Sequence, residues 1–522
     1  MKNKVDKFKL VPLHPILFGI YPVLINLAHN VEQVKLIAGI RPLVVLFVGT
    51  TVFLIGLGLL LRNRYRAAVI CSLFLILFFS YGHAYDFLNQ THAPWSSLGR
   101  HRYLFAAWIS LFILGLWWIR RLRNMLQSAT PILNVIALIS ISFPIFIISS
   151  FQLRMRQAYA QRLETVVTID SRNPMDQQFL PDIYYIILDA YTRDDVLREI
   201  YDYDNTPFLY HLTELGFYVA RCSQSNYAQT ELSMAASLNM EYLEILDEDF
   251  IEGNTNKSGI VPFLKYGEVR RLLEEMGYTV VAFETGFYWI QWEDADIYLS
   301  PVRFGSVSKG VSWEGISSFE VMVFESSAAR ILTDTDISRD LLSRIFPDMN
   351  YPGKVVRERT ELVLDHLKMN RMRKIQSPKF VYAHIIAPHP PYVFGPNGEI
   401  AEDDDDFGYI DQVTYISQRI LELVEDIIQE SETPPVIILQ GDHGLRHIPA
   451  ERVAILNAYY LPGGGDQMLY PSITPVNTFR VIFNYYFGAA FGVLEDRSYF
   501  STYEMPFDYE EVLNNREGCS GE

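Results

Sequence analysis

The stretch "PPVIILQGDHGLRH" (Pro434–His447) joins an apolar run to an acid, an imidazole and a glycine. Val436–Gln440 is short, almost wholly apolar and led by branched residues, the pattern of a strand buried on both faces. Three other runs read the same way: "IYYIILDA" (Ile183–Ala190), "YTVVAF" (Tyr278–Phe283) and "FVYAHIIA" (Phe380–Ala387). Helical patterns lie between them. "VRRLLEEMG" (Val269–Gly277) is amphipathic and ends on glycine, and Val413, Ile416, Ile420, Leu423 and Ile427 recur at helical spacing. Strand alternating with helix predicts an α/β domain with a largely parallel sheet flanked by helices.

In such a sheet, ligands bind beyond the carboxyl ends of the strands. Three runs carry polar groups there. The first delivers Asp189, the third His384 and then His389, and the fourth Asp442 and His443. A carboxylate beside an imidazole suits Zn²⁺ or Mn²⁺. Gly444 lets the backbone turn tightly or approach a ligand closely. Thr230 opens "TELSMAASLNM", a run of small and helix-forming residues, so it lies at a helix start where backbone N–H groups favour an anion. A threonine hydroxyl is a weak nucleophile that metal coordination can activate. Asp189 and Thr230 each also fit a plain helix cap. His389, stiffened by prolines in "APHPPY", can donate to a phosphate oxygen or protonate a leaving group. His384 and His447 are candidates for a second metal or a substrate phosphate, or else a strand residue and a surface residue. The run Glu402–Asp406 lacks the interleaved spacing of a calcium loop and reads as a solvated loop.

The 522-residue chain is 49% hydrophobic, but the apolar residues crowd into the first 150 positions. Five segments there have the length and composition of membrane spans: Leu10–Leu27, Pro42–Leu61, Ala67–Tyr85, Tyr103–Ile119 and Pro131–Ser150. His14 and His83 lie near segment ends, where an interfacial placement is expected. The basic clusters Met1–Lys9, Arg62–Arg66 and Arg120–Asn124 share one side if all five segments cross, which makes that side cytoplasmic. Residues after Ser150 then lie outside the cytoplasm. The expected organisation is 1–150 transmembrane, 151–180 connector and 181–522 extracytoplasmic catalytic domain, in a multi-pass protein of the cell membrane. A net charge of −17 lacks the basic footprint of a nucleic-acid binder. Cys71, Cys222 and Cys519 imply no disulfide framework.

Taken in order, "IILDAYTRDD", "NTPFL", "QTELSMAASL", "HIIAPHPPY" and "GDHG" resemble the sulfatase-like branch of the alkaline phosphatase superfamily. The match is to its membrane-anchored lipoteichoic acid synthases and phosphoethanolamine transferases. The resemblance covers most of Pro181–Pro506 and implies an alkaline-phosphatase-like domain. It makes Asp189, Thr230, Asp442 and His443 the ligands of one divalent metal (Mn or Zn, with Mg as a further candidate). Thr230 becomes the nucleophile and His389 a substrate-phosphate histidine. The synthases usually carry Glu where this chain has Asp189. A formylglycine sulfatase is disfavoured, because Thr230–Met234 lacks the Cys or Ser, the Pro and the Arg of that signature.

The implied activity moves a substituted phosphate, such as phosphoglycerol or phosphoethanolamine, from a membrane lipid donor through a covalent Thr230 intermediate. The acceptor would be an envelope glycan or lipid. The rival expectations are a metal-dependent hydrolase of phosphate or sulfate esters, and a non-catalytic membrane scaffold on the same fold.

Overall fold

The computed structural model describes residues 11–31, 34–90, 100–122, 125–164, 180–300, 317–334, 353–401, 406–516 and 518–519. Most of the acidic run Glu402–Asp406, the basic Met1–Lys9 and much of the 151–180 connector lie outside them. The chain divides into two compact units, Met1–Leu153 with Val302–Tyr351, and Arg154–Pro301 with Pro352–Glu522.

The first unit is helical: α1 (His14–His29), α2 (Ile40–Leu61), α3 (Arg64–Gln90), α4 (His101–Arg121) and α5 (Leu126–Glu164), the last extending into the second unit. The last four are long and apolar enough to cross a membrane. Helix α1 has 16 residues, which at 1.5 Å per residue spans about 24 Å, short of a full hydrocarbon core. The first of the five expected spans is therefore shorter than its apolar run suggested. His14 is enclosed, at 0% exposure. Its Nδ1 lies 2.6 Å from Ser72 Oγ of α3, and its backbone N–H donates to Asn134 Oδ1 of α5 at 2.9 Å. His83 is exposed. A segment from far along the chain completes this unit. The helix Ser318–Glu325 starts on a capping box, places Glu320 against Arg41 of α2, and is followed by Arg330, paired with Asp86 of α3.

The second unit is built on a seven-stranded sheet. Its strands are β1 (Ile183–Leu188), β2 (Tyr218–Val219), β3 (Thr279–Phe283), β4 (Ile297–Leu299), β5 (Lys379–Ile385), β6 (Val436–Gly441) and β7 (Asn457–Tyr460), in the order β2-β7-β6-β1-β5-β3-β4. Strands β6, β1, β5, β3 and β4 run parallel, and β7 pairs antiparallel to β6. Every residue of β1, β5 and β6 is buried, which explains their near-continuous apolar sequence. Full burial of an aliphatic side chain contributes about 1.5–3 kcal/mol, so these three strands anchor the core. Tyr185, Ile187, Tyr382 and Ile438 pack on one face, against the helices Thr230–Asn239 and Pro475–Phe487. Ile186, Leu188, Ala383 and Leu439 pack on the other, where Val413, Ile416, Ile420 and Ile427 of the helix Asp406–Glu430 meet them.

In-register pairing aligns the carboxyl ends of the three central strands, with Leu188 of β1 opposite both Ile385 of β5 and Gly441 of β6. The residues that follow those ends therefore emerge side by side.

Candidate active site

Asp189 follows β1 directly. It is not a cap, since the next helix begins at Asp194 behind Arg193. Its Oδ2 accepts from His384 Nε2 at 3.2 Å, and its Oδ1 is buried with no hydrogen-bond partner. The next residue, Ala190, takes a left-handed backbone with φ +62°. That conformation is costly for a residue with a Cβ. It turns the Ala190 N–H onto Asp442 Oδ1 at 3.0 Å, locking the end of β1 to the end of β6.

Asp442 follows β6. Its Oδ1 also accepts from the His443 N–H at 3.0 Å, and its Oδ2 is buried without a partner. His443 Nδ1 donates to the Gly444 carbonyl at 2.9 Å. That bond fixes the tautomer and leaves Nε2 with a lone pair facing the acids, 3.4 Å from Asp442 Oδ2 and 3.8 Å from Asp189 Oδ1. Two glycines make the geometry fit. A Cβ on Gly441 would lie 2.4 Å from the Tyr191 carbonyl oxygen, and one on Gly444 2.3 Å from that of Glu451. Close backbone approach, not an unusual φ, is what Gly444 serves.

Thr230 is the first residue of its helix, and Gln229 occupies the cap position. The hydroxyl is thus not spent on capping. Its Oγ1 lies 2.9 Å from His443 Nε2, where the fixed tautomer makes threonine the donor. His389 joins from β5's loop: its N–H donates to the Asp189 carbonyl at 3.0 Å, and its ring centroid lies 6.3 Å from that of His443. His389 Nδ1 is held by the Pro390 carbonyl at 2.6 Å, leaving Nε2 for a ligand.

Of the residues singled out in the sequence, Asp189, Thr230, Asp442, His443 and His389 converge. His384 is present in another capacity, as a buried partner of Asp189, with its Nδ1 unpartnered. His447 is exposed at the rim, its ring 5.8 Å from that of Tyr503.

The electrostatics are unusual. Asp189, Asp442 and His443 are at most 1% exposed, and one ligand atom from each lies within 4.8 Å of the others. Burial would raise the pKa of Asp189, but His389 and His384 reverse this and hold it well below the ordinary carboxylate range. Asp442 is pushed up to about 6 by burial and by the charge of Asp189. His443 is pushed well down by burial and then by Arg452, which keeps its imidazole neutral and able to ligate. Two buried carboxylate oxygens with no donor, aimed at one place beside a neutral imidazole, are a strong mismatch in protein alone. A divalent cation resolves it, and an oxygen and nitrogen donor set completed by Thr230 Oγ1 suits Zn²⁺ or Mn²⁺.

Sequence reading missed three contributors. Arg452 is 3% exposed and ties the loops together. It donates to the carbonyls of Ala228 (2.7 Å), Gly444 (2.8 Å) and Leu445 (3.0 Å), reaches His443 Nε2 at 3.1 Å, and donates to Tyr503 Oη at 3.2 Å. Tyr503 belongs to a C-terminal strap that Gln229 holds through the Ser501 and Thr502 carbonyls. The disulfide Cys222–Cys519 closes that strap onto the chain leading to Thr230, a pairing that the cysteine pattern did not imply; Cys71 is free and buried. With a sequence separation of 297 between the two partners, no local spacing marked the pair.

No family model matches the chain, and neither does any curated protein. Solved structures do. The integral membrane protein lipooligosaccharide phosphoethanolamine transferase A from Neisseria meningitidis is 13% identical, with 90% of this chain and 92% of that one covered, at a TM-score of 0.39. A protein in the alkaline phosphatase superfamily from Vibrio parahaemolyticus is 11% identical over 67% of this chain and 82% of that one, at 0.38. The lipoteichoic acid synthase LtaP from Listeria monocytogenes is 11% identical over 63% and 74%, at 0.35. Likeness at these values carries no activity across.

Proposed function

We propose that this chain is a membrane-anchored, metal-dependent phosphotransferase of the sulfatase-like type, acting through Thr230. The observation that carries the reading is the pair of unpartnered oxygens, Asp189 Oδ1 and Asp442 Oδ2, beside a threonine hydroxyl that is free of capping duty. A cation held by Asp189, Asp442, His443 and Thr230 would lower the hydroxyl's pKa and polarise a phosphoryl oxygen.

The chain's own groups account for the rest. With His443 Nε2 and Asp442 Oδ2 given to the cation, the Thr230 proton, which faces His443 Nε2 in the metal-free site, would pass to solvent water as Oγ1 turns to phosphorus. Thr230 Oγ1 bonds to phosphorus, and the bond from phosphorus to the lipid alcohol breaks. The departing oxygen takes a proton from His389, leaving a substituted phosphate ester on Thr230 and a free diacylglycerol. An acceptor hydroxyl then attacks phosphorus and gives its proton to His389, the bond to Thr230 breaks, and the threonine regains its proton. Water as acceptor would make the chain a hydrolase.

The membrane topology belongs to the same reading. Arg62–Arg66 joins α2 to α3, and Arg120–Asn124 joins α4 to α5. If α2 to α5 each cross once, both loops face the cytoplasm and α5 emerges outside, whether or not the short α1 spans. The disulfide supports an oxidising, extracytoplasmic setting for residues 181–522. A lipid donor and an envelope glycan or lipid acceptor follow from that location.

The test uses the full chain in detergent with Mn²⁺ or Zn²⁺ and a phospholipid donor. Diacylglycerol release that stops with chelator and in Thr230→Ala supports the reading; release by Thr230→Ala at the wild-type rate overturns it. An isotope-labelled acceptor alcohol separates transfer from hydrolysis.

A further inference from the structure

Beside the nucleophile lies a side chain placed as a bound amine would be. Lys257 Nζ pairs with the Glu231 carboxylate, lies 3.3 Å from Gln229 Oε1, and sits 5.3 Å from the centroid of the Tyr503 ring. Glu231 and Gln229 are the residues on either side of Thr230. A carboxylate, an amide oxygen and an aromatic face are the groups that recognise a primary ammonium. The pair is partly enclosed, with Lys257 at 21% and Glu231 at 16% side-chain exposure. Tyr503, which covers Lys257, also touches Arg452 and lies near His447, so this side of the mouth continues directly into the site.

We propose that Lys257 is a built-in ammonium that selects against cationic head groups, so that the group transferred is the phosphate of an uncharged polyol, such as glycerol phosphate. The inference rests on the phosphotransferase reading above. An ethanolamine-type ammonium entering here would find its carboxylate taken and a like charge beside it. The hydroxyls of a glycerol group would instead meet an ammonium donor, an amide oxygen and a phenol, all able to bond neutral oxygen.

The experiment compares dioleoyl phosphatidylglycerol with dioleoyl phosphatidylethanolamine as donors to the full chain in mixed micelles, following diacylglycerol release. The expected wild-type preference for the glycerol lipid in kcat/KM is about tenfold or more. Lys257→Met exposes Glu231 and should move the ratio about tenfold toward the ethanolamine lipid, mainly through KM, whereas Lys257→Arg should keep the wild-type order. A wild-type preference for ethanolamine, or an unchanged ratio in Lys257→Met, overturns the inference while leaving the transferase standing. Release from neither lipid removes both. If Lys257→Met does not fold, competition on the wild type decides. Glycerol phosphate inhibiting at about tenfold lower concentration than phosphoethanolamine supports the assignment, and the reverse order contradicts it.

Discussion

The two ends of the central strands treat buried charge in opposite ways. At the amino end, Asp182 precedes β1 and Lys379 opens β5, at 6% and 2% exposure. The two pair directly. Asp182 Oδ1 also accepts from the Lys379 N–H at 3.0 Å, and Oδ2 accepts from Ser377 Oγ at 3.0 Å. At the carboxyl end, Asp189 and Asp442 are buried at least as deeply, yet each keeps one oxygen without a donor. The lower pair is finished by the protein itself. The upper pair is held in a repulsive arrangement by neighbouring backbone, the arrangement that the proposed cation would relieve.

This contrast yields predictions of descending size. Thr230→Ala should reduce lipid-donor turnover by on the order of 10³-fold or more, because the nucleophile acts as one unit with its activating groups. Metal affinity should fall far less, and calorimetry on the same preparation checks both halves. At the other end, Lys379→Met leaves the Asp182 carboxylate buried and unpaired and should cost about 3–5 kcal/mol, seen as a lowered unfolding midpoint with or without metal.

Asp442→Asn should have the opposite sign in metal-free protein. The amide oxygen still accepts from Ala190 and His443, its NH₂ group can donate toward Asp189 Oδ1, and the like-charge repulsion is gone. Metal-free stability at neutral pH should rise by about 1–3 kcal/mol while metal affinity collapses. A drop in metal-free stability would mean the acids are not in conflict.

The smallest effect is in pH. The Asp442 carboxyl is raised from 3.8 to about 6 in the folded state. Its contribution to metal-free stability is therefore fully present below pH 3.8 and is lost as pH rises through about 6. Asp189, depressed, works oppositely, contributing above its unfolded pKa and failing only in strong acid. Between those limits Asp442 sets the trend, and a cation must displace its proton. Affinity should thus weaken about tenfold per pH unit below the Asp442 pKa and level off above it, as titration calorimetry across that range would show. A flat profile would detach Asp442 from the metal.

The sheet and the upper acids were legible because both are local. Buried strands announce themselves as unbroken apolar runs, and a polar group after such a run in a parallel sheet has one place to go. Asp189, His389, Asp442 and His443 were found that way. Thr230 was visible as a helix start, but whether its hydroxyl capped that helix was a question of one residue, settled by Gln229 taking the cap. The missing parts are non-local. Arg452, Lys257 and Tyr503 reach the site from separate stretches, with nothing in their neighbours to mark them. Cys222 and Cys519 are joined only by folding, and so is Ser318–Glu325, which sits within the expected 181–522 block yet clusters with α1 to α5. Helix α1 was overestimated because its apolar run begins before the helix does.

The central claim is that Asp189, Asp442, His443 and Thr230 hold one divalent cation. Anomalous diffraction from crystals of the full chain grown with Mn²⁺ tests it most directly. The expected result is an anomalous peak in contact with Asp189 Oδ1, Asp442 Oδ2, His443 Nε2 and Thr230 Oγ1. A map with no peak among those atoms, with Mn²⁺ bound elsewhere, would contradict it.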